Sequence, residues 1–401
     1  MALASPKRRP SADWDIRIFG CSPFSNLARA PGRQRSWSAA DLAERELPLM
    51  AQRVGILRVG SLGDHLIALP LYRRLRGLHA RDRLVLVSNL PTAGNPKLVG
   101  PSSVLPDGLF DEYLNYPVGS DWRSILRKVR LFRGAQLALL YYLMPMRTPR
   151  QLARDGLFFR FLGLRVIGLA SDVASGPLQY LESSGRYEHE SARLARGIQA
   201  LQDGLLNSPE SRSMGITDSE LNEARSLLGA NSTVTVTINI GGKFEVKDWG
   251  VENWSELIRR LASVENIGRL VFIGSADEAD YSERLRLLWP RRSENFCGKI
   301  SPRLSAAVLG QTQLFVGHDS GPMHMAAAVN VPIVAIFCSR DPKGQWFPLS
   351  ENARVHYTSI ECMGCGRIRC EDRQQECIRR ITVEEVFQSC LAALPVGVGG
   401  R

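Results

Sequence analysis

The stretch QLFVGHDSGPMHMAAAVNVPIVAIFC, residues 313–338, reads as strand, turn, helix and strand in succession. Its two apolar runs, QLFVGHDS (313–320) and VPIVAIFC (331–338), are short and bounded by turn residues, as buried strands are. MHMAAAV between them suits a helix, and strand–helix–strand of this kind argues for a parallel sheet. Ser320, Gly321 and Pro322 occupy the joint between the first strand and the helix. Such a turn exposes backbone N–H groups at a helix N-terminus, where the helix dipole adds partial positive charge. It is a ready seat for a phosphate: Gly321 lets the backbone approach closely, and Ser320 adds a hydroxyl donor.

The same stretch offers Asp319, Ser320 and His324, which invites a hydrolase or metal reading. Adjacent Asp and Ser cannot form the relay in which Ser meets His and His meets Asp, and no G-x-S-x-G elbow is present. One His and one Asp are too few ligands for zinc. In the simpler reading Asp319 caps the helix and His324 packs on it; capping is compatible with phosphate binding.

Working outward, the alternation recurs along the chain. Strands are expected at VGILRV (54–59), RLVLVS (83–88), QLALLYY (136–142) and LRVIGLA (164–170), then at STVTVTINI (232–240) and GRLVFIGS (268–275). Helices are expected at HLIALPLYRRLRGLHA, which contains Pro70, at NWSELIRRLASV (253–264) and at ADYSERLRLLW (279–289). These elements form an α/β unit over residues 50–190 and a second over 231–401, joined by a mostly helical connection at 191–230. Residues 1–49, rich in Arg, Ser, Pro and Ala, read as a poorly ordered extension, with Met50 a candidate start. Two facing doubly wound domains leave a cleft at the carboxyl ends of their strands, where such sheets bind ligands.

Two further turns open on that cleft. In ILRVGSLGDHLIALP (56–70) a strand runs into the turn SLGD and delivers one carboxylate, Asp64. The turn is neither the dinucleotide fingerprint nor a Walker loop. Asp64 suits a helix cap, or a general base at the edge of a ligand site. In NIGGKFEVKDWGVENWSELI (239–258) a strand ends in Gly241 and Gly242, and Lys243 and Lys247 follow, an arrangement that suits an anionic group, though lysines in surface loops are common.

The formal charge of +11 sits in the first half: residues 191–401 balance at 24 basic and 24 acidic side chains. A basic half attracts polyanions, but no nucleic-acid-binding motif accompanies it. No apolar run reaches the roughly 18 residues of a membrane helix, and the N-terminus lacks the apolar core of a signal peptide. A cytoplasmic protein is the expectation. Of eight cysteines, Cys362, Cys365, Cys370 and Cys377 cluster, in a C-x₂-C-x₄-C-x₆-C spacing that suits a structural zinc or reduced thiols.

Together ILRVGSLGDHLIALP, the K-D-W segment and VGHDSGPMHMAAAVNVPIVAIF resemble the signature blocks of glycosyltransferase family 9, the lipopolysaccharide heptosyltransferase family, from about residue 53 to 390. The resemblance implies a GT-B fold, two Rossmann-like domains facing across a cleft. It implies inverting transfer of a sugar, typically from ADP-heptose, with no metal or other cofactor in catalysis. Asp64 then matches the base that deprotonates the acceptor hydroxyl. Lys247, Asp319, Ser320, Gly321, Pro322 and His324 match donor-binding positions, and Glu278, with Asp277 as the alternative, matches the acid that meets the ribose. Heptose is the family's usual sugar; His318 and Asp248 depart from the usual pattern and leave the sugar open. An anionic glycolipid or glycan acceptor is expected on the basic half, at Arg147, Arg150 and Arg154, with peripheral attachment to the inner face of the membrane. Alternatives are a GT-B nucleotide-sugar epimerase and a non-catalytic polyanion-binding protein.

Overall fold

The computed structural model describes residues 51–91, 99–169, 177–201, 208–230 and 233–395. The extension expected over 1–49, and Met50, lie outside the described residues. The first sheet holds β1 (Arg53–Leu57), β2 (Arg83–Ser88), β3 (Glu112–Asn115), β4 (Leu139–Tyr142) and β5 (Val166–Ile167), all parallel, in the order β3-β2-β1-β4-β5. Its helices are α1 (Leu62–Leu78), α2 (Trp122–Ala135) and α3 (Pro149–Phe161). A two-strand hairpin, β6 (Tyr180–Leu181) and β7 (Arg186–Tyr187), leads to α4 (Glu190–Arg196), α5 (Pro209–Arg212) and α6 (Asp218–Leu228).

The second sheet is also parallel, with β8 (Val234–Asn239), β9 (Ile267–Phe272), β10 (Arg292–Asn295), β11 (Leu314–His318), β12 (Ile333–Phe337) and β13 (Ala353–Tyr357) in the order β10-β9-β8-β11-β12-β13. Its helices are α7 (Val251–Ala262), α8 (Ala279–Arg286), α9 (Pro302–Leu309), α10 (Gly321–Ala328), α11 (Glu376–Arg379) and α12 (Val383–Ala393). Both sheets are doubly wound, with the strand order reversing at β1/β4 in one and at β8/β11 in the other.

Central strands such as RVGIL and IVAIF read as apolar runs because helices cover both faces of a parallel sheet. In α7 the buried Trp254, Leu257, Ile258 and Leu261 recur at helical spacing and dock on the second sheet. Besides the short hairpin β6–β7, the strands missed in the sequence are β3, β10 and β13, at the edges of the two main sheets, where polar residues such as Glu112, Arg292 and His356 break the apolar run. Helix α1 begins at Leu62 and continues through Pro70, which is buried; the cost is the hydrogen bond that the Leu66 carbonyl would otherwise accept.

The two halves are packed together. Leu66 and Leu69 of α1 share one apolar core with Met323 and Ala326 of α10. Arg303 of α9 pairs with Glu220 of α6 at 2.5 Å and also donates to the Leu105 carbonyl of the first domain at 3.2 Å. The hydrogen bonds from Arg303, foremost, pull the Glu220 carboxyl down to about 2.

Candidate active site

At the switch point of the first sheet, Arg58 follows the last residue of β1. It is wholly buried and donates from Nη1 to the Leu143 carbonyl, just past β4, at 3.1 Å. Its Nη2 donates to Asp64 Oδ1 at 3.0 Å. The other oxygen of Asp64 accepts from the Ser61 N–H at 2.7 Å and the Ser61 hydroxyl at 2.9 Å, so the carboxylate caps α1. Burial would raise the Asp64 pKa, but Arg58 and the two Ser61 bonds outweigh it and hold the carboxyl below its ordinary value. Gly60 is required here for room: a Cβ would stand 2.4 Å from the Asp64 carboxyl carbon.

At the switch point of the second sheet, Asn239 ends β8 and lies fully inside the fold. Its Nδ2 donates to Glu278 Oε2 at 3.0 Å, and its Oδ1 accepts from the Ser320 hydroxyl at 2.7 Å. Asn239 thereby joins the turn before α10 to the acid after β9. The Glu278 carboxylate, also bonded by Ser275 Oγ at 3.0 Å, lies over two glycines; a Cβ on Gly241 would stand 1.9 Å from its carboxyl carbon. Asp277 is exposed and Glu278 is the half-buried one of the pair.

Lys247 and Asp319 form a buried ion pair, Nζ to Oδ2 at 2.5 Å, and the ammonium also donates to the Asp319 carbonyl at 3.1 Å. The residues that break the family pattern hold this corner in shape. His318 accepts from the Trp249 N–H at 3.2 Å and packs edge-on to Trp254, while burial pushes it down to about 4 and keeps it neutral. Asp248 accepts from the Gly250 N–H at 3.0 Å. Arg340, past the end of β12, stacks over the Phe244 ring 4.3 Å from its centroid, with Lys247 on the same ring at 5.8 Å.

The two corners meet. A Cβ on Gly63 would stand 2.9 Å from the His324 ring, and one on Gly321 would stand 3.0 Å from the Leu62 side chain. The N-termini of α1 and α10, each the positive end of a helix dipole, therefore converge on one spot. His324 sits between them, its pKa lowered chiefly by burial, with Asp319 and Asp64 both opposing the shift from either side. The structure thus brings together Asp64, Lys247, Asp319, Ser320, Gly321, Pro322 and His324, with Glu278 reached through Asn239.

The arginines of the first half are more dispersed. Arg147 lies beside the Tyr142 hydroxyl, Arg150 is exposed at the start of α3, and Arg154 pairs with Asp155 at 2.8 Å. In the sequence the clustered cysteines read as a structural zinc site or as reduced thiols. Among the described residues no group of three or more His, Cys, Asp or Glu is arranged to hold a metal ion. Cys377 is buried in the second domain's apolar core beside Cys338, Cys370 packs against its edge, and Cys365 is exposed. The Cys-rich segment is instead docked by backbone, with the Gly364 and Gly366 N–H groups donating to the carbonyls of Ser339 and Arg340 at 2.9 and 2.8 Å.

Sequence reading missed Asn239, Arg58 and Arg340. Asn239 and Arg58 had a signal, a polar side chain at the end of an apolar run, where a central strand of a doubly wound sheet meets its ligand site. Arg340 had none in its own neighbourhood.

Comparison with known proteins bears on this site. The model of glycosyltransferase family 9 (heptosyltransferase) matches residues 156–375. Lipooligosaccharide heptosyltransferase 2 of Campylobacter jejuni is 25% identical over 168 residues, 40% of this chain and 51% of that protein. Lipopolysaccharide heptosyltransferase 3 of Escherichia coli is 42% identical over 55 residues, 14% of this chain and 16% of that protein. The chain thus spans about half the length, or less, of the curated relatives it matches. The crystal structure of a family 9 glycosyl transferase from Veillonella parvula superposes with a TM-score of 0.61 at 16% identity, covering 87% of this chain and 99% of that one. The ADP-heptose lipopolysaccharide heptosyltransferase II of Escherichia coli does so with a TM-score of 0.56 at 18% identity, covering 85% and 98%. At such identities the structural likeness speaks for the fold alone, which is GT-B. With the family model matched across more than half of its length, this chain belongs to glycosyltransferase family 9, the heptosyltransferase family.

Proposed function

We propose that this protein is an inverting glycosyltransferase that moves a sugar, heptose in the first instance, from an ADP-linked donor onto an anionic glycan or glycolipid acceptor of the lipopolysaccharide-core type. The observation that carries the reading is the convergence of Asp64 with the Lys247–Asp319 pair and the Ser320–Gly321 turn around the N-termini of α1 and α10. A departing nucleoside diphosphate needs its negative charge stabilised. Two helix N-termini and a lysine supply that from fixed positions, without a metal ion.

In this reading the diphosphate rests on the Ser320 turn, Lys247 contacts its oxygens, and Glu278 meets the ribose. Asp319 turns to the sugar. The acceptor hydroxyl enters from the first domain, and Asp64 takes its proton as the hydroxyl oxygen bonds to the anomeric carbon and the bond to the diphosphate breaks. Arg147, Arg150 and Arg154 are the groups that would receive acceptor phosphates, bidentate geometry favouring Arg there. Nucleotide sugars and such acceptors meet at the inner face of the cytoplasmic membrane, which sets the expected location.

The test is acceptor-dependent release of ADP from ADP-heptose in the presence of a metal chelator. Release that needs acceptor supports transfer. Release or epimerisation of the donor without acceptor would point to the epimerase reading, and full dependence on added Mg²⁺ would overturn the metal-free mechanism.

A further inference from the structure

Helices α2 and α3 lie side by side on the first domain, with Phe132 of α2 packed edge-on against Phe158 and Phe159 of α3. Their inner faces are apolar, and so, against expectation, are parts of their outer faces. Trp122 is 66% exposed, Leu157 69% and Phe161 70%, and Leu126 is exposed as well. On α2, Trp122, Leu126 and Arg133 follow one another at spacings of four and seven and share a stripe. On α3, Arg150, Arg154, Leu157 and Phe161 follow at four, three and four and share another. The Arg133 guanidinium lies over the Phe161 ring, 5.8 Å from its centroid, so the two stripes meet edge to edge.

The charge on this face has one sign. Arg123, Arg127, Arg130 and Arg133 are exposed on α2, which contains no acidic residue. The nearest carboxylates are already engaged: Asp121 caps α2 through Ser124, and Asp155 is held by Arg154 and Tyr142. Single exposed apolar residues are ordinary, but two aromatic rings and two leucines set among arginines are not. Bulky apolar side chains that enter the acyl boundary, with arginines whose stems reach up to headgroup phosphates, make a surface suited to an anionic bilayer.

The geometry points to the outer face of α2 and α3 as the surface by which this protein seats itself on an anionic membrane. Both helices start at the carboxyl ends of their strands, so Trp122 and Arg150 stand on the cleft side of the domain, and a seated domain would present its cleft beside the headgroups. In purpose the inference rests on the proposed glycolipid acceptor. The experiment below uses no acceptor, so failure to bind vesicles and failure to transfer sugar are separate results.

The experiment is co-sedimentation of the full chain with extruded vesicles of phosphatidylcholine alone or with one quarter phosphatidylglycerol. The result expected is binding to the anionic vesicles only, weakening as salt rises. The double variant Trp122→Ser with Phe161→Ser should lower partitioning by about tenfold or more, since each removes an aromatic ring from the interface. Arg127→Glu with Arg130→Glu should abolish it, while Arg259→Glu on the second domain leaves it unchanged. All of these positions are exposed, and unchanged circular dichroism checks that the variants fold. Equal binding to both vesicle types, no binding, or binding indifferent to the Trp122/Phe161 variant would overturn the proposal. So would a dimer in solution abolished by that variant, which would assign the face to a second copy of the chain.

Discussion

Arg58 donates to Asp64 across 3.0 Å from a position with no solvent exposure, and it does so as one link of a longer chain of buried charge. Its Nη1 stands 3.7 Å from Glu190 Oε1; Glu190 is held by two bonds from Arg193, at 2.8 and 2.6 Å. Glu190 also accepts from Gln345 Nε2, in the second domain, at 3.3 Å. The proposed base is thus backed by alternating charges that reach the partner domain. Two carboxylates and two guanidiniums balance, which is how such groups are tolerated inside a protein.

Removing the middle of that chain should move the base's titration. In Arg58→Gln the nearest positive charge is gone while burial remains, so Asp64 would bind its proton more readily. The acidic limb of the kcat–pH profile is expected to rise in pH, and kcat to fall on the order of 100-fold as the carboxylate loses its fixed orientation. Arg58→Lys keeps the charge and should restore much of the limb's position. A variant that merely contains less folded enzyme would lose rate with the limb unmoved.

Asp64→Asn keeps shape and removes basicity. Transfer should fall by about 10²–10⁴-fold, the usual contribution of a positioned base, while ADP affinity changes little. The measurement is kcat beside a calorimetric Kd; an affinity loss with unaltered turnover at saturation would assign Asp64 to donor binding.

The Lys247–Asp319 pair makes a prediction of the opposite kind. Lys247→Ala should weaken ADP at least tenfold, because it strips the diphosphate of a cation. It should also lower stability on the order of 3 kcal/mol, because Asp319 is left buried and uncompensated. Thermal denaturation and calorimetry on the same samples separate the two. Unchanged ADP affinity would remove Lys247 from the phosphate site.

Gly241 tests the position of Glu278 without touching it. A methyl group there collides with the Glu278 carboxylate, so Gly241→Ala should weaken nucleotide binding about as much as Glu278→Ala, roughly tenfold. The double variant should cost no more than either single change, since both act on one contact. Additive losses in a double-mutant cycle would separate the two residues.

Much of this arrangement could be read in the chain itself. β1, β2, β9, β11 and β12 are buried on both faces and announce themselves as largely apolar runs, β8 as alternating Val and Thr, and the segments after β1, β8 and β11 carry Asp64, Lys247 and Asp319. The edge strands β3, β10 and β13 were silent, since one side of each is not enclosed and residues such as Glu112 and Arg292 serve there. Glu190 and Arg193 carry no signal in their own neighbourhood; they are buried where the first domain meets the loop around Gln345, more than 150 residues away in the chain. The spacing of the four clustered cysteines leaves a structural zinc and reduced thiols both open, because spacing does not say that Cys377 turns inward to the core while Cys365 stays at the surface.

The most direct test of the central claim is calorimetric titration of the protein with ADP, UDP, GDP and CMP, each with and without Mg²⁺. Binding of ADP alone, independent of Mg²⁺ and weakened at least tenfold in Lys247→Ala, is the expected result. Preference for another nucleotide would discard the ADP-linked donor, and no binding of any of them would contradict a donor site at the meeting of α1 and α10.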